Sequence, residues 1–226
     1  MSVAPGKLIV FEAPEGAGKT TQLRRLDAWL AAQGVPHRSV REPGGTPLGD
    51  EIRRVVLLEP HRTLTPRAEA LLFMASRAEL VEHVIRPALE QGEFVLADRF
   101  FLSTYAYQVH GRGLPFEEVR TANALATAGL VPDLTILLTL RGAERRARTA
   151  ARGAADRIEG AGDDFHERVQ AAVARFASAD WQRTHPECGP IVDVDATGSE
   201  EQVFARILAA LATHWPFPFG EPAPVR

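Results

Sequence analysis

Leu8-Ile9-Val10-Phe11-Glu12-Ala13-Pro14-Glu15-Gly16-Ala17-Gly18-Lys19-Thr20-Thr21 is the stretch that decides the fold. Leu8–Phe11 reads as a short buried strand, and Thr21-Gln22-Leu23-Arg24-Arg25-Leu26 as the start of an amphipathic helix. Between them Ala13–Thr20 follows the phosphate-loop pattern G-x-x-x-x-G-K-[ST], with Ala13 in the first glycine slot. Gly16 and Gly18 let backbone N–H groups turn inward around phosphate oxygens, together with those of Glu15, Ala17 and Thr21. Lys19 adds a point charge, and the Thr20 hydroxyl can ligate Mg²⁺. The new helix adds unpaired N–H donors and the positive end of its dipole. A Gly-Lys-Thr triplet alone also fits a surface turn, but strand before and helix after favour a nucleotide site. Ala13 at positive φ would cost about 1–2 kcal/mol. Pro14 drives its predecessor toward extended geometry, so Ala13 is expected to continue the strand at negative φ.

Working outward, apolar runs alternate with helical patterns, the signature of a parallel sheet with crossover helices. Strands are expected at Pro36–Arg41, Phe94–Ala97, Thr135–Leu140 and Ile191–Val194. Helices are expected from Pro47 to Leu58, from Thr65 to near Leu89, from Phe165 to Ala179 and from Glu200 to His214. The proline-rich tail from Trp215 is expected to be irregular. The organisation is then one domain over residues 1–214, with a tail at 215–226.

The chain has 226 residues, 45% of them hydrophobic, and a net charge of -3. That supports one sizeable core and gives no electrostatic reason to expect nucleic acid or a membrane surface. Cys188 is the only cysteine, which excludes an intrachain disulfide and suits a reducing, cytoplasmic setting. No run is apolar and long enough for a signal peptide or a membrane span.

The chemistry extends beyond the phosphate loop. Asp98-Arg99 ends a buried strand, the edge of an open α/β sheet where ligands bind. The carboxylate could hold Mg²⁺ through water or orient a basic partner, and the arginine could clamp a phosphate; a helix cap with a surface ion pair is the plainer alternative. Phe73 and Arg77 share a helix face, as a ring and a guanidinium that could address a nucleobase, or as a core ring beside a surface arginine. Thr104 and Gln108 are also i, i+4 neighbours and offer a hydroxyl and an amide. Residues 147–162 are rich in Arg, Ala and Gly. They read as a lid bearing Arg148, Arg152 and Arg157, or as a solvated helix end and linker.

Together these segments resemble bacterial thymidylate kinases over most of the chain, from Leu8 to about Leu211. The resemblance is carried by Phe11–Thr21, Arg41-Glu42-Pro43-Gly44-Gly45-Thr46-Pro47-Leu48-Gly49, Asp98–Gln108 and Asp156-Arg157-Ile158-Glu159. It implies a nucleoside-monophosphate-kinase fold, a five-stranded parallel sheet flanked by helices with a lid at about 148–163. It also implies ATP-dependent, Mg²⁺-assisted phosphorylation of dTMP to dTDP in dTTP synthesis, and a homodimer. By position, Lys19 and Thr20 would bind ATP phosphates and Mg²⁺, the metal shared with Asp98. Glu15 would face the deoxyribose 3′-OH. Arg99 and Arg41 would hold the dTMP phosphate, Phe73 would stack on thymine, and Arg77 would hydrogen-bond its carbonyl edge. Arg53, Thr104 and Gln108 would line the pocket, and Tyr107 would sit under the sugar. Gly16 stands where some relatives carry an arginine, and forms without it place the catalytic arginine in the lid, here Arg152 first and Arg157 second. Ala13 and Phe100 depart from the family's usual glycine and tyrosine.

Overall fold

The computed structural model describes residues 5–59, 63–140, 157–158 and 160–220. Five strands form one parallel sheet: β1 Lys7–Glu12, β2 His37–Arg41, β3 Phe94–Asp98, β4 Leu134–Thr139 and β5 Ile191–Asp195. Their order is β2-β3-β1-β4-β5, with Val10 opposite Ala97 and Phe11 opposite Ile136. Each expected strand is present within a residue or two of its expected ends.

The period of two in β1 divides the core. Leu8 and Val10 belong to one buried cluster and Ile9 and Phe11 to the other, so both faces are covered. Each such side chain contributes about 1.5–3 kcal/mol relative to exposure. One face packs against α1 Lys19–Ala32 through Leu23, Leu26 and Leu30. It also packs against a C-terminal helix, Glu200–His214, whose capping box joins Ser199 and Gln202.

The other face carries the elements that shape the cleft. The first is α2, Pro47–Arg53, which continues as a π-helical turn Arg54–Leu58. Next comes α3, Pro66–Leu80, capped by Thr65, whose hydroxyl accepts from Ala68 N at 3.3 Å. The expected single helix to Leu89 is in fact α3, a π-helical stretch Val81–Ile85, and α4, Arg86–Glu90. Then come α5, Phe101–Thr104, followed by a π-helical stretch Tyr105–Gly111, and α6, Phe116–Thr127. α6 was not anticipated from the sequence.

α7 spans Asp163–Phe176, ending earlier than expected. The Ser178 hydroxyl accepts from Trp181 N at 3.2 Å and starts a separate α8, Ala179–Thr184. α9 is the Glu200–His214 helix. The tail is a correction. A short α10, Pro216–Phe219, broken by extended geometry at Phe217, brings Phe219 into the core, where it stacks on Trp29 with ring centroids 5.6 Å apart. Tail residues 221–226 lie outside the described set, as do residues 141–156 and 159 of the expected lid region.

Candidate active site

The carboxyl ends of β1 and β3 open into a cleft lined at one end by residues 14–20 and at the other by Phe73, Thr104 and Gln108. This is the sheet edge where connections diverge and ligands bind. Gly16 and Gly18 have φ of 79° and 83°, values that glycine adopts without a Cβ penalty. Ala13 is not among the positive-φ residues, as Pro14 predicts. Gly18 caps α1, so the first N–H groups of that helix point into the loop.

The Lys19 ammonium lies on the Asp98 carboxylate, and Thr20 Oγ1 is 3.3 Å from the other carboxylate oxygen. An amine, a hydroxyl and a carboxylate thus meet at the mouth of the phosphate loop. The hydroxyl and carboxylate oxygens are hard donors of the kind Mg²⁺ prefers. Among the described residues no cluster of three His, Cys, Asp or Glu side chains forms a cage. That suits an ion held mainly by phosphates and water.

Glu12, buried at the end of β1, organises the next turn. Its Oε1 accepts from the N–H groups of Phe100 and Ser103 at 2.8 and 3.0 Å, and its Oε2 accepts from Ser103 Oγ at 2.6 Å. Arg99 Nη1 donates to the same Ser103 hydroxyl at 2.8 Å, and the guanidinium lies 5.4 Å from the Tyr107 ring centroid. Arg99 has φ of 75°, a left-handed conformation that costs a non-glycine residue about 1–2 kcal/mol. The turn therefore holds a strained arginine between the two ends of the cleft.

Arg77 lines the far end, but its hydrogen bonds correct the expected role. Nε donates to Glu42 Oε2 at 2.8 Å and Nη2 to the same oxygen at 2.5 Å. Nη2 also donates to Phe100 O at 2.9 Å, and Nη1 donates to Thr104 Oγ1 at 3.0 Å and to Asn123 Oδ1. A guanidinium has five N–H groups, and here each has a protein acceptor. A direct bond to a base carbonyl would have to share one of them. Burial pushes the Glu42 carboxyl up, the neighbouring Arg77 charge opposing.

Phe73, Tyr107, Arg41 and Arg53 also line the cleft, with Arg53 Nη1 donating to Pro43 O at 3.0 Å and Arg41 3.5 Å from Asp50. Glu15 lies in the phosphate-loop wall. Arg157 is not part of the lining. Its Nε donates to Val56 O at 2.8 Å and its Nη2 to Glu69 at 2.6 Å, which commits it to the wall behind the pocket. Arg152 lies outside the described residues.

Sequence reasoning missed Glu12, Glu42, Glu69, Asn123 and His166, the last of which lines the cleft. Only Glu69 left a signal, four residues before Phe73 and eight before Arg77 on one helical face.

The sheet order, the glycine loop and a cleft with a phosphate-binding end and an aromatic end define a P-loop nucleoside monophosphate kinase. The family model for thymidylate kinase matches residues 11–207. A thymidylate kinase of Deinococcus radiodurans is 47% identical over 210 residues, covering 93% of this chain and 98% of that protein. Thymidylate kinases of Cutibacterium acnes and an Exiguobacterium species are 47% and 43% identical, over 79% and 90% of this chain and 86% and 92% of theirs. The chain belongs to the thymidylate kinase family, a family of phosphotransferases.

Proposed function

We propose that this chain transfers the γ-phosphoryl group of ATP to dTMP, giving ADP and dTDP, a step toward dTTP. The observation that carries the reading is the single cleft with a glycine phosphate loop at one end, Phe73 at the other, and Arg99 between them. A phosphate oxygen of dTMP attacks the γ-phosphorus as the bond to the β,γ-bridging oxygen breaks. The acceptor is already anionic, so catalysis is mostly alignment and charge stabilisation.

Lys19 and the loop N–H groups hold the donor phosphates. Arg99, with Arg41 nearby, holds the acceptor phosphate, and Tyr107 and Glu15 flank the sugar. Phe73 stacks on the base, and Arg77 acts through Glu42 and Thr104, which it holds in place. Thr20 and Asp98 would hold Mg²⁺, whose contribution is to neutralise charge developing on the transferred phosphoryl oxygens. Arg152 is the arginine we assign to the transition state, because Arg157 is engaged by Glu69. A homodimer and a cytoplasmic location complete the reading; among the described residues no helix is long and apolar enough to cross a membrane.

The test is ATP turnover measured with dTMP, dUMP, dCMP, thymidine or no acceptor. Turnover that depends on dTMP supports the reading, and equal turnover without acceptor defeats it. Arg152→Ala should lower kcat about a thousandfold with a much smaller change in KM for dTMP.

A further inference from the structure

Glu69 is buried, at 1% exposure, and does not line the cleft. Its Oε1 accepts from Gln108 Nε2 at 3.0 Å and from Arg112 Nε at 3.1 Å. Its Oε2 accepts from Arg112 Nη2 at 3.0 Å and from Arg157 Nη2 at 2.6 Å. Burial alone would raise this carboxyl, but hydrogen bonds from Arg112, Arg157 and Gln108 outweigh burial and hold it below its ordinary value. Glu69 is therefore an anion that can only accept. Gln108 must turn its NH₂ group toward Glu69, and this leaves its carbonyl oxygen for the cleft it lines.

Thr104 has the opposite polarity for the same kind of reason. Arg77 can only donate, so the bond from Nη1 occupies a lone pair of Thr104 Oγ1 and leaves the hydroxyl proton to offer. The two cross-element bonds, Glu69–Gln108 and Arg77–Thr104, stand four residues on either side of Phe73 along α3. An acceptor and a donor, each fixed from behind, thus flank the ring on which a planar base would lie.

We propose that Glu69 is a positioning residue that sets base selectivity. By fixing Gln108 as an acceptor beside Thr104 as a donor, it makes the pocket complementary to the N3–H and O4 edge of a 4-oxopyrimidine. The same arrangement opposes a 4-aminopyrimidine, whose N3 accepts and whose amino group donates. Mismatched polarity leaves buried polar groups unpaired, which discriminates far more strongly than a shape difference. This inference rests on the assignment of the pyrimidine to the Phe73 end.

The experiment compares kcat/KM for dTMP, dUMP and dCMP in the intact chain and in Gln108→Met, Thr104→Val and Glu69→Gln. In Gln108→Met and Thr104→Val, values for dTMP and dUMP should fall together by about tenfold or more, mainly through KM, while dCMP holds or improves. Glu69→Gln can offer an amide N–H to Gln108 and let it turn over, so the ratio of dTMP to dCMP should fall by about tenfold. If Glu69→Gln fails to fold, the two near-isosteric variants decide the matter alone. A common fall for all three nucleotides in those variants would mean packing only and would overturn the proposal. A wild-type chain with no dTMP-dependent turnover would instead remove the functional reading beneath it.

Discussion

The Lys19 ammonium sits on the Asp98 carboxylate, so in the nucleotide-free chain the phosphate-binding charge is already neutralised by the residue placed to hold the metal. A triphosphate must compete with Asp98 for Lys19. Removing that competitor in Asp98→Asn should tighten binding of metal-free ATP while lowering Mg²⁺-dependent turnover about a hundredfold. Calorimetric titration of ATP with and without Mg²⁺ reads both effects. Weaker metal-free binding in the variant would refute the competition.

Arg99 makes a second case of function against stability. At φ of 75° a Cβ is penalised, so glycine should beat alanine here, the reverse of the order at an ordinary position. Arg99→Gly should be about 1 kcal/mol more stable than Arg99→Ala by denaturant unfolding. Both should lose dTMP affinity. Alanine at least as stable as glycine would show that the turn relaxes when the arginine is gone.

The Arg77–Glu42 pair should dominate the stability of the far end. Arg77→Ala leaves a buried carboxylate alone and should cost about 3–5 kcal/mol at neutral pH. The sign of the pH dependence follows from the raised Glu42 carboxyl. Below the unfolded value of 4.5 the group is protonated in both states and adds no penalty. As pH rises from there toward the folded value, only the unfolded chain ionises and stability falls. Without Arg77 that window widens upward, so the deficit of the variant should grow with pH. Urea midpoints across the acid range would show a flat deficit if the pair were not coupled to protonation.

Glu69 has the opposite sign. Its lowered carboxyl contributes stability that is complete above the unfolded value of 4.5 and is lost as pH falls through the folded value. Glu69→Gln should therefore flatten the acid limb of the stability profile. An acid limb of unchanged slope in the variant would assign the loss to other carboxylates.

The tail prediction is separate from catalysis. Phe219→Ala removes a ring packed on Trp29 and Phe94 and should cost about 3 kcal/mol with kcat unchanged. A thermal midpoint equal to that of the parent would mean the tail is not part of the core.

The sheet was legible because each buried strand is a short β-rich run closed by a turn or a charged pair, and the phosphate loop because its spacing has one physical purpose. Phe73, Arg77, Thr104 and Gln108 could be placed on shared faces from helical spacing. What could not be read was which donors the fold would consume. Arg77 looked free to meet a base, yet Glu42, thirty-five residues away in sequence, takes two of its bonds. Glu12 and Glu69 are single carboxylates in unremarkable contexts, and only the packing of distant segments makes them hubs. The tail was misread because proline content argues against regular structure but says nothing about burial. α6 was missed for want of a strong apolar stripe.

The wide turn at Tyr105–Gly111 has a consequence for how this protein can change. A π-helical stretch carries more residues per turn than the helix around it. Removing one residue there would regularise the hydrogen bonding rather than break it. It would also rotate all that follows by about 100°. Gly111, where a Cβ would stand 2.5 Å from the Phe165 ring, would then no longer face α7, and Gln108 would leave Glu69. In this segment a single-codon deletion should be tolerated by the helix and fatal to the pocket, so its length is under tighter constraint than most of its side chains.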